Sequence, residues 1–127
     1  MITDKNKKFL AQYGSAKHVN EIMAKSEHPR YMDSDLRLAI TTNRHLSPEH
    51  IDSLIDVRKP LTTRYIANHP NLNEKHFSSL VNDPDWEVRR NIAKHPKAPE
   101  HILNILSGDD HSLVRKVAKE NLENRKK

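Results

Sequence analysis

At 127 residues the chain has the length of a single domain, and its 29 Leu, Ile, Val and Phe residues allow a thin core rather than a deep one. It has no Cys, which excludes disulfide scaffolds, thiolate metal sites, iron–sulfur clusters and cysteine nucleophiles; two Gly argue against Gly-rich phosphate loops and an all-β fold. Net charge is +5, with 12 Lys/Arg against 11 Asp/Glu in residues 1–86 and 10 against 6 in residues 87–127. That excess toward the C-terminus points either to an anionic partner or to a solvated, frayed basic tail, Arg125-Lys126-Lys127. The first residues contain no apolar segment, and the longest apolar stretch, around Ile102 to Leu106, is too short to span a bilayer. A cytoplasmic location without membrane contact is expected.

Taken in chain order, residues 3–13 form an amphipathic stretch with Phe9, Leu10 and Tyr13, read as an N-terminal cap within residues 1–14. The remainder is built from copies of itself. His50-Ile51-Asp52-Ser53-Leu54-Ile55 aligns with His76-Phe77-Ser78-Ser79-Leu80-Val81, and Ile66-Ala67-Asn68-His69-Pro70 with Ile92-Ala93-Lys94-His95-Pro96, both at an offset of 26. A further copy follows at 25, with His101-Ile102, Ile105-Leu106 and Val117-Ala118-Lys119, and a degenerate copy with His18-Val19 and Ala39-Ile40 precedes. The units are 15–46, 47–72, 73–98 and 99–123, with 124–127 as a basic tail.

Each unit reads as two short helices. The first carries apolar residues at i, i+3 and i+4, as in Phe77, Leu80 and Val81. Ser15, Ser47 and Asn73 stand at N-cap positions, Pro48 and Pro99 fit the first helical turn, and Gly108 fits a helix stop. The second helix follows Asp83-Pro84-Asp85, buries Val88, Ile92 and Ala93, and ends before His-Pro. Helices this short are marginal alone in water, so each must be covered by the next copy. The expected fold is all-α: a short right-handed α-solenoid of about four two-helix repeats with an N-terminal capping helix.

The run from Asp83 to Leu103, with Asp83-Pro84, Val88-Arg89 and His95-Pro96, closely resembles the bacterial variant leucine-rich repeat and is similar to the wider HEAT-like group. The resemblance spans about residues 15–120 and implies an α-solenoid repeat fold. The cysteine cluster of some family members is absent, so no iron–sulfur role carries over. The leader Phe9-Leu10-Ala11-Gln12-Tyr13-Gly14 also resembles that of small repeat proteins encoded by tailed phages, which implies action in a host cytoplasm.

His18, His50, His76 and His101 share one repeat position and His69 and His95 another, which is a single-file ladder rather than a converging metal site. The expectation is that these rings pack and cap, with no metal and no cofactor. A HEAT-like-repeat DNA glycosylase would need an acid among aromatic residues, and Trp86 beside Asp83, Asp85 and Glu87 is the one such grouping; Trp86 reads instead as a staple against the neighbouring repeat, and no enzymatic activity is expected. Arg37, Arg64, Arg90 and Arg115 recur at intervals of 27, 26 and 25. At about 100° per residue, Arg89 falls inside the apolar sector of its helix, while Arg90 and Lys94 fall outside it. Arg89 is therefore expected to be semi-buried and held by Asp83 or Asp85, with Leu36, Thr63 and Val114 as its counterparts. Arg37, Arg64, Arg90, Lys94, Arg115 and Lys119 are expected to line a partner-binding stripe. The leading expectation is a non-catalytic protein-interaction module, regulatory or inhibitory; the alternative is a nucleic-acid-binding protein using the same stripe on phosphates.

Overall fold

A computed structural model describes residues 1–127 and is all-helical, with nine α-helices and no strand. The helices are α1 (Lys7–Tyr13), α2 (Ala16–Lys25), α3 (Ser34–Thr41), α4 (Pro48–Ile55), α5 (Pro60–Ile66), α6 (Glu74–Leu80), α7 (Trp86–Lys94), α8 (Glu100–Leu106) and α9 (Ser112–Arg125). A short 3-10 turn, Pro29–Tyr31, lies between α2 and α3. No helix is long and apolar enough to cross a membrane. The chain divides into two compact units, Met1–Asn71 and Leu72–Lys127.

Local chemistry explains where the helices begin. Ser47 Oγ accepts the His50 N–H at 3.2 Å and Asn73 Oδ1 accepts the His76 N–H at 3.0 Å, satisfying donors that a helix start leaves open. Pro48 and Pro60 occupy first helical positions, where a missing N–H costs nothing. His18 and His76 complete the reciprocal half of a capping box. Their Nδ1 atoms accept the N–H of Ser15 and Asn73 at 3.2 and 3.0 Å, an imidazole standing where Glu or Gln is usual. Asp33, Asp85 and His111 cap α3, α7 and α9 through N–H groups two residues on.

Pro99 departs from its expected place. It is the N-cap of α8 rather than its first helical residue, and it supplies no side-chain acceptor. The N-caps Ser47, Asn73 and Pro99 are therefore 26 residues apart, and Ile102, buried, occupies the third helical position held by His50 and His76. His101 is one residue out of that register: it is exposed, and its Nε2 lies 3.5 Å from Glu74 Oε1. Helix α8 ends at Leu106, just before Gly108, although Gly108 does not take a positive φ. Gly14, by contrast, is needed for space: a Cβ there would run into the Leu10 carbonyl and the His18 side chain.

Each unit has its own core. In the first, Val19, Ile22, Ile40, Leu46, Ile51, Leu54 and Ile66 are buried; in the second, Phe77, Leu80, Val88, Ile92, Leu103, Leu106 and Val114 are. Leu80 and Ile92 are thus core residues, as the periodicity predicts.

A second set of contacts is polar and recurs every 26 residues, at Asn43, His69, His95 and Asn121. Asn43 Nδ2 donates to the carbonyls of Ala11 and Gly14, both at 3.0 Å, while Oδ1 takes the His45 N–H at 2.8 Å. His69 Nε2 is 2.7 Å from the Asn43 carbonyl, which can only accept, so the proton sits on Nε2 and Nδ1 is free to take the Asn71 N–H at 3.0 Å. His95 Nδ1 takes the Lys97 N–H at 3.0 Å. Asn121 Nδ2 donates to the carbonyls of Ala93 and His95 at 2.9 and 3.0 Å. In each case one side chain closes its own turn or reaches back to the end of an earlier helix. Within the second unit, the Asn121 contacts at the end of α7 and the Trp86–His111 stack at its start establish that α7 and α9 run parallel.

Candidate interaction surface

The second helix of each pair is capped by Asp33, Lys59, Asp85 or His111, again at steps of 26. Counted from these caps, the fourth residue is Arg37, Thr63, Arg89 or Arg115, and the fifth is Leu38, Arg64, Arg90 or Lys116. The ladder expected from sequence therefore mixes two positions that point in different directions.

The fourth position points inward. Arg37 is only 4% exposed, and its Nη1 donates to the Pro29 and Met32 carbonyls, both at 3.3 Å. Arg115 Nη1 donates to the carbonyls of Asp109 and Asp110 at 2.7 and 3.0 Å. Arg89 Nη1 does the same to Asp83 at 2.6 Å. Arg37 and Arg115 are thus equivalents of Arg89, and their guanidinium groups hold the turn before the helix instead of lining a surface stripe. The expected counterparts Leu36 and Val114 belong one position earlier; Thr63 is correctly paired.

Arg89 carries one contact more. Its Nε lies 2.8 Å from Asp109 Oδ2 and its Nη2 3.2 Å from Oδ1, with the two side chains 16% and 8% exposed. The anion is Asp109, not Asp83 or Asp85: Asp83 offers its main-chain carbonyl, and the Asp85 carboxylate caps α7. The hydrogen bond to Asp109 raises the Arg89 pKa, against a smaller opposing effect of burial. For Asp109, burial works to raise the pKa, but the Arg89 hydrogen bond, the His111 N–H and the neighbouring positive charge together bring it below the ordinary carboxylate value.

The expected basic tail is also partly structural. Helix α9 continues to Arg125, whose guanidinium donates to the carbonyls of Ala98 at 2.6 Å, Pro96 at 3.0 Å and His95 at 3.3 Å.

The fifth position points outward, where Arg64 and Arg90 are half-buried and Lys116, missed from sequence, is exposed. Lys94 and Lys119 are exposed too, although Lys119 occupies the position of the buried Ala93 rather than that of Lys94. Apolar side chains accompany these cations. Leu61 and Tyr65 flank Arg64 on α5, and Leu113 stands three residues before Lys116 on α9; Leu61 is 48% and Leu113 44% exposed, at matching positions of their helices. Counting from the caps rather than from the arginines would have revealed this pairing. Beside the same face of the first unit, an open depression of about 230 Å³ is lined by Leu38, Thr42 and Tyr65, with Lys8 and Asp35 3.8 Å apart at its rim.

Trp86 stacks on the imidazole of His111 with ring centroids 4.0 Å apart and planes 11° from parallel, and the Arg90 guanidinium lies 5.4 Å from the Trp86 ring centroid. Trp86 thus packs against the cap of the following second helix. Arg90 Nε is buried without an acceptor. Among the remaining histidines, His50 Nδ1 is likewise buried without a partner, and burial lowers its pKa against the opposing charge of Glu49. No three His, Asp or Glu side chains are grouped as a metal site requires. Compared with known proteins, the chain matches no family model, no curated protein and no solved structure.

Proposed function

We propose that the chain is a non-catalytic binding module, a repeat α-solenoid of the variant leucine-rich or HEAT-like kind, and that its partner is a protein recognised by the outward face of the second helices. The observation that carries this reading is the pairing of exposed aliphatic side chains with cations at the same helical positions, Leu61 with Arg64 and Leu113 with Lys116. A surface shaped for phosphates gains nothing from exposed leucines, whereas a protein interface combines an apolar centre with a polar rim. The 26-residue recurrence of Asn43, His69, His95 and Asn121 supports the repeat reading, because the same side-chain role returns at the same interval. The phage-like leader supports a regulatory or inhibitory role toward a host or phage protein in the cytoplasm. The exposed Lys94, Lys116 and Lys119 favour the second reading, binding to nucleic acid.

Affinity capture from the producing cell, with and without nuclease, tests the choice. A protein retained after nuclease and lost with Leu61→Asp or Leu113→Asp is the expected result. Material that disappears with nuclease and ignores both substitutions overturns the protein reading in favour of nucleic acid.

A further inference from the structure

Three of the four turns between paired helices are short: four residues between α4 and α5, five between α6 and α7, and five between α8 and α9. The first, residues 26–33, has eight. Binding groups sit disproportionately on loops that a rigid scaffold positions, and this turn is firmly positioned. Arg37 Nη1 donates to the Pro29 and Met32 carbonyls, His28 Nε2 donates to Asp56 Oδ2 at 3.1 Å, and Arg30 Nη2 reaches the same oxygen at 3.0 Å. Glu27 is kept at a φ of 51°, a left-handed conformation that a Cβ disfavours and that persists only where surrounding contacts impose it.

The turn closes one side of a cavity of about 400 Å³, within the size range of small-ligand sites. Met32, buried, and Leu36, half-buried, give it an apolar lining, and the exposed Tyr31 lines it as well. Four charged side chains also face it, and two of them are engaged: Lys25 Nζ with Glu21 at 3.2 Å, and Asp33 with the Asp35 N–H at the start of α3. The other two, the half-buried Lys7 and the exposed Glu27, make neither an ion pair nor a side-chain hydrogen bond. One free cation and one free anion beside apolar groups select against a simple carboxylate, which Glu27 repels, and against a simple amine, which Lys7 repels. A molecule that carries both charges satisfies both side chains with charge-assisted hydrogen bonds.

We infer that this cavity is a binding site for a free α-amino acid with an apolar side chain, its carboxylate on Lys7, its ammonium on Glu27 and its side chain against Met32, Leu36 and Tyr31. The site lies wholly within Met1–Asn71 and uses none of the residues assigned above to partner contact, so it stands or falls apart from the protein-binding reading.

The test uses the full chain with L-leucine and L-phenylalanine as probes. Each is compared with its analogue lacking the carboxylate, isoamylamine or phenethylamine, and with its analogue lacking the ammonium, isocaproate or hydrocinnamate. Ligand-observed NMR detects binding, and calorimetry at neutral pH measures it. The expected result is that at least one of the two amino acids binds with a Kd below about 1 mM and that its two analogues bind at least about tenfold more weakly. Lys7→Met should weaken the amino acid about tenfold or more without weakening the amine analogue, and Glu27→Gln should do the same without weakening the acid analogue. Lys17→Met, on α2 and outside the cavity, leaves affinity unchanged, and circular dichroism verifies that each variant is folded. If neither amino acid binds, if an analogue binds as tightly as its parent, or if either cavity variant keeps the wild-type affinity, the inference is overturned. The analogue comparison needs only the wild-type chain, so it decides even where a variant fails to fold. A negative result here leaves the capture of a protein partner untouched, and a failed capture leaves this site standing.

Discussion

Arg89 and Asp109 are twenty residues apart in sequence and joined by two hydrogen bonds, Nε to Oδ2 at 2.8 Å and Nη2 to Oδ1 at 3.2 Å. The pair ties α7 to the turn that precedes α9, and that turn is further held by Arg115 and by the His111 N–H on Asp109. Removing one partner strands the other charge in a largely desolvated place. Arg89→Leu is expected to cost about 3–5 kcal/mol in urea unfolding, and Asp109→Asn added to it should restore a substantial part of that loss. A double variant whose loss equals the sum of the losses of Arg89→Leu and Asp109→Asn measured singly would mean that the two groups are not coupled.

The same pair sets the acid limit. Because the Asp109 pKa is lower folded than unfolded, its contribution is present above the ordinary value near 3.8 and disappears as pH falls through the folded value. Wild type should therefore lose stability below about pH 4 more steeply than Asp109→Asn, as read from urea midpoints along a pH series. Parallel curves for the two proteins would exclude this linkage.

His50 acts at a higher pH. Its folded pKa lies below the ordinary 6.5, so between the two values the unfolded chain binds the proton more readily and stability rises with pH. The stabilisation is present above about 6.5 and lost as pH falls through the folded value. Replacing His50 by Gln should flatten the melting temperature between about pH 7.5 and about pH 5 relative to wild type. An unchanged slope would assign the pH dependence elsewhere.

Asn43 is 1% exposed and makes three hydrogen bonds to backbone groups, two given and one taken. Asn43→Ala leaves the Ala11 and Gly14 carbonyls and the His45 N–H without these partners and should cost on the order of 3 kcal/mol. Asn43→Asp keeps the acceptor but sets a negative charge against two carbonyl oxygens, so it should be worse than alanine. Thermal unfolding of the two variants decides, and an Asp variant as stable as wild type would refute the assigned amide orientation.

Arg58 and Glu27 are non-glycine residues with positive φ, 58° and 51°, in the turns before α5 and α3. The Cβ is unfavourable there, so Arg58→Gly should raise stability by about 0.5–1 kcal/mol even though it frees the unfolded chain. A drop in melting temperature would indicate that the Arg58 side chain contributes more than its backbone costs.

What the sequence determined by itself were the properties encoded within a few residues. Helical periodicity, the caps at Ser47 and Asn73, the proline start at Pro48 and the 26-residue interval all follow from neighbours along the chain, and each is present in the structure. The direction of each arginine was not legible in this way. Treating the last copy as 25 residues away, and Arg37 as 27 before Arg64, shifted the register by one residue, and on a helix that turns a side chain by about 100°. Arg37 and Arg115 thereby passed for surface groups, although their guanidinium groups donate to carbonyls of the preceding turns. The partner of Arg89 was hidden for a related reason: Asp83 and Asp85 are near in sequence, but Asp109 is near in space. The matching positions of Leu113 and Lys116 could be counted from the caps, but the exposure of Leu113 was a tertiary result, since only packing settles which part of an amphipathic helix a neighbour covers.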